Sequence, residues 1–329
     1  MIDHPKHIVI SRTDSIGDVA LTLPIAGILK EKFPAAKISF LGNTYTKPVI
    51  ACCKHVDEIW EWAELQKLNQ QEQIAFLKSK YIDVFIHVFP RKEIAKLAKK
   101  AKIEHRIGTS HRLFHLLTCN HRPGFTRKNS DLHEAQLNTK LLSPLGITQE
   151  YTLTELAHFA AFKNIQALPT ELQNLLSTGK KNIILHPKSQ GSAREWALEN
   201  FVEIAAELDP TKYNIFFTGT EKEGLLFRNF IPKKPNVFDV TGKMNLYELI
   251  SFINSADLLI AASTGPLHLA GLTGIHAFGL FSTQRPTHAG RWQPLGNKVF
   301  ILEEKIISDP TQPLNIPFRE VIKALEQRV

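Results

Sequence analysis

The residues able to do chemistry in this 329-residue chain fall in five short turns, 11–18, 187–195, 218–223, 241–243 and 262–266. They supply Asp18, Lys188, Arg194, Glu223, Lys243, Ser263 and Thr264, with His268 one helical turn further on. A carboxylate in such a turn can take the proton of an attacking hydroxyl. Lysine, arginine and protonated histidine suit phosphate oxygens. The stretch Asp257 to Phe281, DLLIAASTGPLHLAGLTGIHAFGLF, sets the pattern. Its apolar run Leu258 to Ala261 predicts a buried parallel strand. Ser263 and Thr264 then precede Gly265 and Pro266, which predicts a hydroxyl-capped helix start ending at Gly274. A helix N-terminus at a strand's carboxyl end offers N–H groups and a positive dipole end to an anion. Turn and cap chemistry accounts for the same residues without a ligand, so both readings stand at this point.

Alternating strand and helix signals must position these turns. Ile8 to Ile10, Lys37 to Leu41, 57–61, 83–89 and 105–108 read as strands of a first half. A helical run covers Val19 to Phe33, with a bend expected at Pro24 because an interior proline removes a hydrogen bond. Further helices are expected near 46–53, 67–79, 91–101 and 131–143. Residues 110–130 read as an exposed loop, and Pro144 to Lys181 as weakly patterned chain holding the domain junction. The grammar restarts with strands at 182–185, 213–217, 237–240, 258–261 and 276–280, separated by helices. This alternation predicts two α/β halves with parallel sheets, whose ligands bind outside the carboxyl ends of the strands. Neither half has G-x-G-x-x-G opening a helix or G-x-x-x-x-G-K-[ST], which disfavours nicotinamide dehydrogenases and P-loop enzymes.

Composition narrows the class. The hydrophobic content of 43% is that of a globular protein. No apolar run reaches the ~18–20 residues of a membrane span, and MIDHPKHIVI does not read as a signal peptide. Cys52 and Cys53 are adjacent and Cys119 is distant, a spacing that suits neither zinc nor a disulfide framework. The formal charge is +8. Between Arg91 and Lys128, eleven Lys and Arg face Glu93 and Glu104 alone, an excess of nine that accounts for the whole imbalance. Such a segment favours an anionic glycan or membrane surface, and a solvated helix face explains it equally well. Its aromatic residues are too few for base stacking, so nucleic acid is not expected.

Four segments together resemble glycosyltransferase family 9, the heptosyltransferases of bacterial lipopolysaccharide. They are IVISRTDSIGDVALTLPIAGILKEKFPAAKISFLGN, the loop KSQGSAREW, FFTGTEKE, and DVTGKMNLYELISFINSADLLIAASTGPLHLAGLTGIHAFGLF. The resemblance implies the GT-B fold, two Rossmann-like domains facing across a cleft, here an acceptor domain over 1–165 and a nucleotide-sugar domain over 166–329. The last helix, Phe318 to Arg328, would pack back on the first domain. It implies an inverting transfer from a nucleotide sugar, ADP-heptose in the best-known members, without a metal or other cofactor. Asp18 matches the catalytic base. Lys188, Ser189, Arg194, Glu223, Ser263, Thr264, Gly265 and His268 match or adjoin the donor site. The basic segment, with Lys99, Lys100, Lys102 and Arg122, would meet an anionic lipid-linked glycan acceptor and the anionic leaflet. The expected protein is a cytoplasmic monomer, peripheral on the inner face of the membrane, that binds no nucleic acid.

One position departs from the family pattern: many heptosyltransferases have aspartate where this chain has Ser263. A serine offers one uncharged hydrogen bond where a carboxylate would offer several charged ones, so the donor sugar is left open. Two competing readings keep the fold. One is a nucleotide-sugar epimerase or hydrolase, and the other is a non-catalytic paralogue that binds nucleotide or glycan.

Overall fold

The strands of this protein, seen in a computed structural model that describes residues 2–128, 130–176, 178–189, 191, 193–305, 309 and 311–328, are all paired in parallel. The chain divides into two units, the first ending at Asn164 and the second beginning at Ile165. The first unit holds β1 His7–Ser11, β2 Lys37–Gly42, β3 Glu58–Glu61, β4 Val84–His87 and β5 His105–Gly108, in the order β3-β2-β1-β4-β5. The second holds β6 Lys181–His186, β7 Tyr213–Phe217, β8 Val237–Asp239, β9 Leu258–Ala262, β10 His276–Phe281 and β11 Val299–Glu303, in the order β11-β10-β9-β6-β7-β8. Each order reverses once, between β1 and β4 and between β6 and β9. A reversal leaves a crevice at the carboxyl ends of the two strands, because their connections leave on opposite faces of the sheet.

Both central strands have an apolar middle, as burial on two faces requires, with polar residues only at their ends. Ile8, Val9 and Ile10 of β1, and Ile183, Ile184 and Leu185 of β6, are fully buried. In the second unit Trp196, Phe201, Phe217, Phe278 and Leu280 pack into one core. Trp196 satisfies its indole by donating to Ile316 O at 2.8 Å. In the first unit Trp60, Trp62, Phe85, Ile94 and Leu97 form a comparable cluster.

Several sequence expectations are corrected. The run Val19 to Phe33 is not one bent helix but two, Ile16–Ala20 and Pro24–Lys32. Pro24 takes the first position of the second helix, where its missing N–H costs nothing. The segment 110–130 is not all loop, since Leu113–Thr118 is helical. The weakly patterned stretch after Pro144 contains the helix Leu153–Ala160, opened by a reciprocal capping box between Thr152 and Glu155. That T-x-x-E signal was present in the sequence. The helix packs on Pro24–Lys32 at Gly27, where any Cβ would collide with the Phe159 carbonyl. The last helix, Phe318–Glu326, buries Val321 and Leu325 in the core of the second unit beside the helix Leu198–Glu207.

The last residues of β4 and β6 are both buried histidines. Burial, the largest cause, holds His87 down to about 3 and His186 down to about 4, against an ordinary value of 6.5. His87 finds no hydrogen-bond partner for either ring nitrogen among the described residues, whereas His186 Nδ1 lies 3.0 Å from Thr218 Oγ1. The unfolded chain therefore binds a proton at each site between pH 6.5 and about 4 that the native state refuses. Their stabilisation is complete above pH 6.5 and is lost as pH falls, by about 1.4 kcal/mol per pH unit for each histidine. Urea denaturation across this range should show that loss. His87→Phe should flatten the acid limb by about one such increment.

Candidate active site

The turn after β1 is built around a buried cation. Arg12 is only 4% exposed. Its Nε donates to Asp14 Oδ1 at 2.8 Å, its Nη2 donates to Asp18 Oδ1, and its Nη1 lies 3.6 Å from Glu134 Oε1. Burial works against the guanidinium charge, but the carboxylates of Asp14, Asp18 and Glu134 outweigh it and raise its pKa. Burial is also the main cause that pushes the Asp14 carboxyl up, with the Asp18 charge adding to it and Arg12 opposing it. Arg127 extends the network, donating to Glu134 Oε1 at 3.1 Å and to Asn138 Oδ1 at 2.8 Å. The helix Glu134–Thr139 thus locks onto the β1 turn through residues far away in sequence.

Asp18 sits in the first turn of Ile16–Ala20, but it is not the cap. Ser15 is the N-cap residue, and its hydroxyl donates to Asp18 Oδ2 at 2.5 Å. Arg12 and Ser15 therefore fix the two oxygens of Asp18, one each. A carboxylate has about four lone-pair positions, so a third donor such as an acceptor hydroxyl still has room. The side chain keeps 21% exposure, enough for that approach.

In the second unit, the loop after β6 is organised by Glu195. Its carboxylate accepts from Ser189 N at 2.8 Å, Ser189 Oγ at 3.1 Å and Lys188 Nζ at 2.8 Å. Burial opposes the Glu195 charge, and these donors more than offset it, so its pKa is lowered. Gln190 and Ser192 of the same loop lie outside the described residues. Arg194 is no loose surface cation. Its Nη1 donates to Glu304 Oε1 at 2.7 Å, its Nε to Gln312 O at 2.6 Å and its Nη2 to Pro313 O at 3.1 Å. Glu304, one residue beyond β11, is fully buried and also accepts from Ser282 Oγ at 2.6 Å.

The helix N-termini at this edge are finished differently. Glu221–Phe227 opens with a capping box: Thr220 N donates to Glu223 Oε2 at 2.6 Å, and Glu223 N donates to Thr220 Oγ1 at 3.3 Å. Glu223 is therefore first a structural cap. Its Oε1, also buried, has no hydrogen-bond partner among the described residues. Leu246–Ser255 is closed in the same way by Asn245 and Glu248. Gly265–Thr273 is not, because Thr264 occupies the N-cap position but its side chain caps nothing. The expected hydroxyl cap is thus absent, and Thr264 Oγ1 is buried without a partner among the described residues. A buried hydroxyl lacking a hydrogen bond is costly, and it sits beside the open N–H groups of a nine-residue helix. Pro266 is the second helical residue, and His268 is buried in the first turn.

The fold gathers Lys188, Ser189, Arg194, Glu223, Ser263, Thr264, Gly265 and His268 at the carboxyl edge of the second sheet, with β6 and β9 adjacent. Lys243 is exposed in the turn after β8. Asp18 stands at the carboxyl edge of the first sheet. The structure does not bring Lys99, Lys100 and Lys102 to it. They end the helix Lys92–Lys100 and precede β5, which places them at the amino edge. Lys99 Nζ donates to Leu117 O at 2.7 Å, Lys100 Nζ to Gln70 Oε1 at 2.6 Å, and Arg122 Nη1 to Cys119 O at 2.6 Å. Sequence reasoning missed Arg12, Glu134, Glu195 and Glu304. Arg12 and Glu195 lie inside turns already singled out, whereas nothing local marks Glu134 or Glu304. Among the described residues, no group of His, Cys, Asp and Glu side chains is arranged to hold a metal ion.

Two all-parallel Rossmann-like units, one with an ion-paired carboxylate at its switch point and the other with an open helix N-terminus at its own, make up the GT-B fold. The comparisons carry this to a family. Residues 75–313 match the model of glycosyltransferase family 9 (heptosyltransferase), and the chain belongs to that family. It is a glycosyltransferase. It is 21% identical to a lipopolysaccharide core heptosyltransferase of Haemophilus influenzae, over 91% of this chain and 86% of that protein. Its fold matches the glycosyl transferase family 9 crystal structure from Veillonella parvula with a TM-score of 0.79, 22% identity and coverage of 98% and 96% of the two chains. It also matches Escherichia coli ADP-heptose LPS heptosyltransferase II with a TM-score of 0.75, 16% identity and 98% coverage of each chain.

Removing Arg194 alone would strand the buried Glu304 charge. Arg194→Ala should therefore lower unfolding stability by about 3 kcal/mol, and Glu304→Gln in the same chain should recover part of the loss. Urea titration of the two single variants and the double variant measures the coupling, and additive effects would show that the pair does not act as a unit.

Proposed function

We propose that the protein transfers a heptose from ADP-heptose, with inversion, to a lipopolysaccharide core or related lipid-linked glycan. The observation that carries this reading is the open start of the Gly265–Thr273 helix, with Thr264 Oγ1 buried and unpartnered beside it. A donor pyrophosphate would accept from Thr264 Oγ1 and from the N–H groups of Gly265 and Leu267, and the helix dipole would favour its charge. Lys188 and Arg194 stand at the same edge as donors, paired with Glu195 and Glu304, and Ser189 keeps their loop in shape through Glu195. The buried, unpartnered oxygen of Glu223 suits a ribose hydroxyl of the donor nucleoside. The choice of ADP-heptose follows the Escherichia coli relative, which is named for it. Ser263 leaves one uncharged hydroxyl for the sugar.

In the reaction, an acceptor hydroxyl held on the first unit attacks the anomeric carbon. Its proton passes to Asp18 as the new C–O bond forms and the bond to the diphosphate oxygen breaks. Arg12 and Ser15 hold the Asp18 carboxylate in one orientation throughout, as a base needs. The charge that develops on the leaving diphosphate falls on the open helix end. The enzyme works at the cytoplasmic face of the membrane, where its lipid-linked acceptor is presented.

Thr264→Val tests the donor site. It removes a buried hydroxyl that has no partner among the described residues, so the ligand-free protein should melt no lower, while ADP affinity should fall about tenfold. A variant that keeps full ADP affinity would remove the helix N-terminus from the donor site. Asp18→Asn should leave ADP binding intact and reduce transfer by about a hundredfold or more. Product analysis without acceptor distinguishes the epimerase or hydrolase reading, in which the donor would be consumed.

A further inference from the structure

The helix Leu113–Thr118 is polarised in an unusual sense. Its outer face carries Leu113, Leu116 and Leu117, which are 84%, 50% and 74% exposed. These positions, i, i+3 and i+4, lie on one side of a helix. The inner face carries His115 and Thr118, both buried. The fold holds this helix firmly in place. A Cβ on Gly108 of β5 would come within 2.6 Å of His115 Nδ1 and 2.8 Å of Cys119 Sγ, so only glycine permits the approach. His115 Nδ1 lies 3.0 Å from Thr109 O.

The polar groups of the helix end are satisfied by cations. Lys99 Nζ donates to Leu117 O at 2.7 Å, Arg106 Nε to Thr118 O at 2.7 Å, and Arg122 Nη1 to Cys119 O at 2.6 Å and Leu116 O at 3.4 Å. The last-turn carbonyls that a helix ordinarily leaves to water therefore have partners within the protein. Such an end can enter a less polar medium without losing its hydrogen bonds. Arg112, at the N-cap, is exposed, and the surrounding segment 91–128 carries the excess of nine positive charges with only Glu93 and Glu104 against them. Three exposed leucines on a rigid, self-satisfied helix within a basic field combine the two terms that hold proteins at anionic membrane interfaces.

We infer that Leu113, Leu116 and Leu117 form the membrane-docking surface of this enzyme, entering the interfacial region of an anionic bilayer while the surrounding lysines and arginines meet lipid headgroups. This deepens the membrane location proposed above and rests on it. The helix begins five residues beyond the end of β5, so its start with Leu113 stands at the carboxyl edge that carries Asp18, while its last turn runs back to Lys99. Docking there would present a lipid-linked acceptor to that edge. It also gives Lys99 and Arg122 a role, since their hydrogen bonds finish the end of the docking helix.

The test is co-sedimentation of the full chain with phosphatidylcholine vesicles, with and without phosphatidylglycerol, together with a Leu113→Gln/Leu117→Gln variant. Glutamine keeps the charge and the helix propensity, and both positions are exposed, so folding should be unchanged, as a melting curve would verify. The wild type should bind the mixed vesicles at least tenfold better than the neutral ones, with binding that weakens as salt rises. The variant should lose tenfold or more on the mixed vesicles. A variant that binds as well as wild type overturns the inference, and so does equal binding to neutral vesicles. A dimer in sedimentation analysis that the variant dissolves would assign the leucines to a second copy instead. Turnover of a delipidated, soluble acceptor reports separately on glycosyl transfer, so loss of docking and failure of the transferase reading give different results.

Discussion

All strands in each sheet point the same way, and the rest of the structure depends on that polarity. In a parallel sheet every strand must be followed by a crossover, so each turn that leaves a carboxyl end falls on one edge. Residues separated by most of a domain in sequence then become neighbours there. Lys188, Glu223 and Thr264 share an edge because β6, β7 and β9 do. The reversal of strand order beside β1 and β6 then opens space at the carboxyl ends of those strands. The same polarity keeps Lys99, Lys100 and Lys102 away from Asp18, since residues that precede a strand fall on the opposite edge.

Within that frame, the candidate site is held by charges that face inward. Arg12 touches Asp14, Asp18 and Glu134, and Glu304 holds Arg194. Each of these ions has lost most of its hydration, and each is tolerated because several opposite charges or donors surround it. The consequence is orientation. Asp18 has both oxygens fixed, and Arg194 cannot swing away from its loop. Groups fixed before substrate arrives need little reorganisation during the reaction, which is the main way that a polar site lowers a barrier. The open helix at Gly265 follows the opposite principle. There the fold leaves donors and a hydroxyl without partners, a cost that a bound anion would offset.

Much of this could be read from the chain. The central strands are short apolar runs between turn residues, and their period and length suffice to identify them. Gly274 ends its helix in the left-handed conformation, with φ of 84°, as its residue type suggests. The five turns that carry the site residues were visible because polar, glycine-containing segments follow apolar strands. Some features were legible but overlooked. The capping box at Thr152 and Glu155 marks a helix that low apolar periodicity concealed. The helix Leu113–Thr118 was hidden for the opposite reason: its leucines face outward, so the run LFHLL lacked the polar face that signals a surface helix.

Local pattern thus determined the strands, the turns and the family of chemistry, because backbone propensity and hydrophobic period act over a few residues. The tertiary structure decided which polar groups pair. Arg12 meets Asn138 across 126 positions and Arg194 meets Glu304 across 110, and no local rule links residues so far apart. Local sequence sets which helix start can close, and packing decided that the hydroxyl left over at the open one is buried. Thr220 and Thr264 are the same residue type at the same kind of position, yet Thr220 has Glu223 three residues later to complete a box, whereas Thr264 has Leu267 there and remains unpartnered.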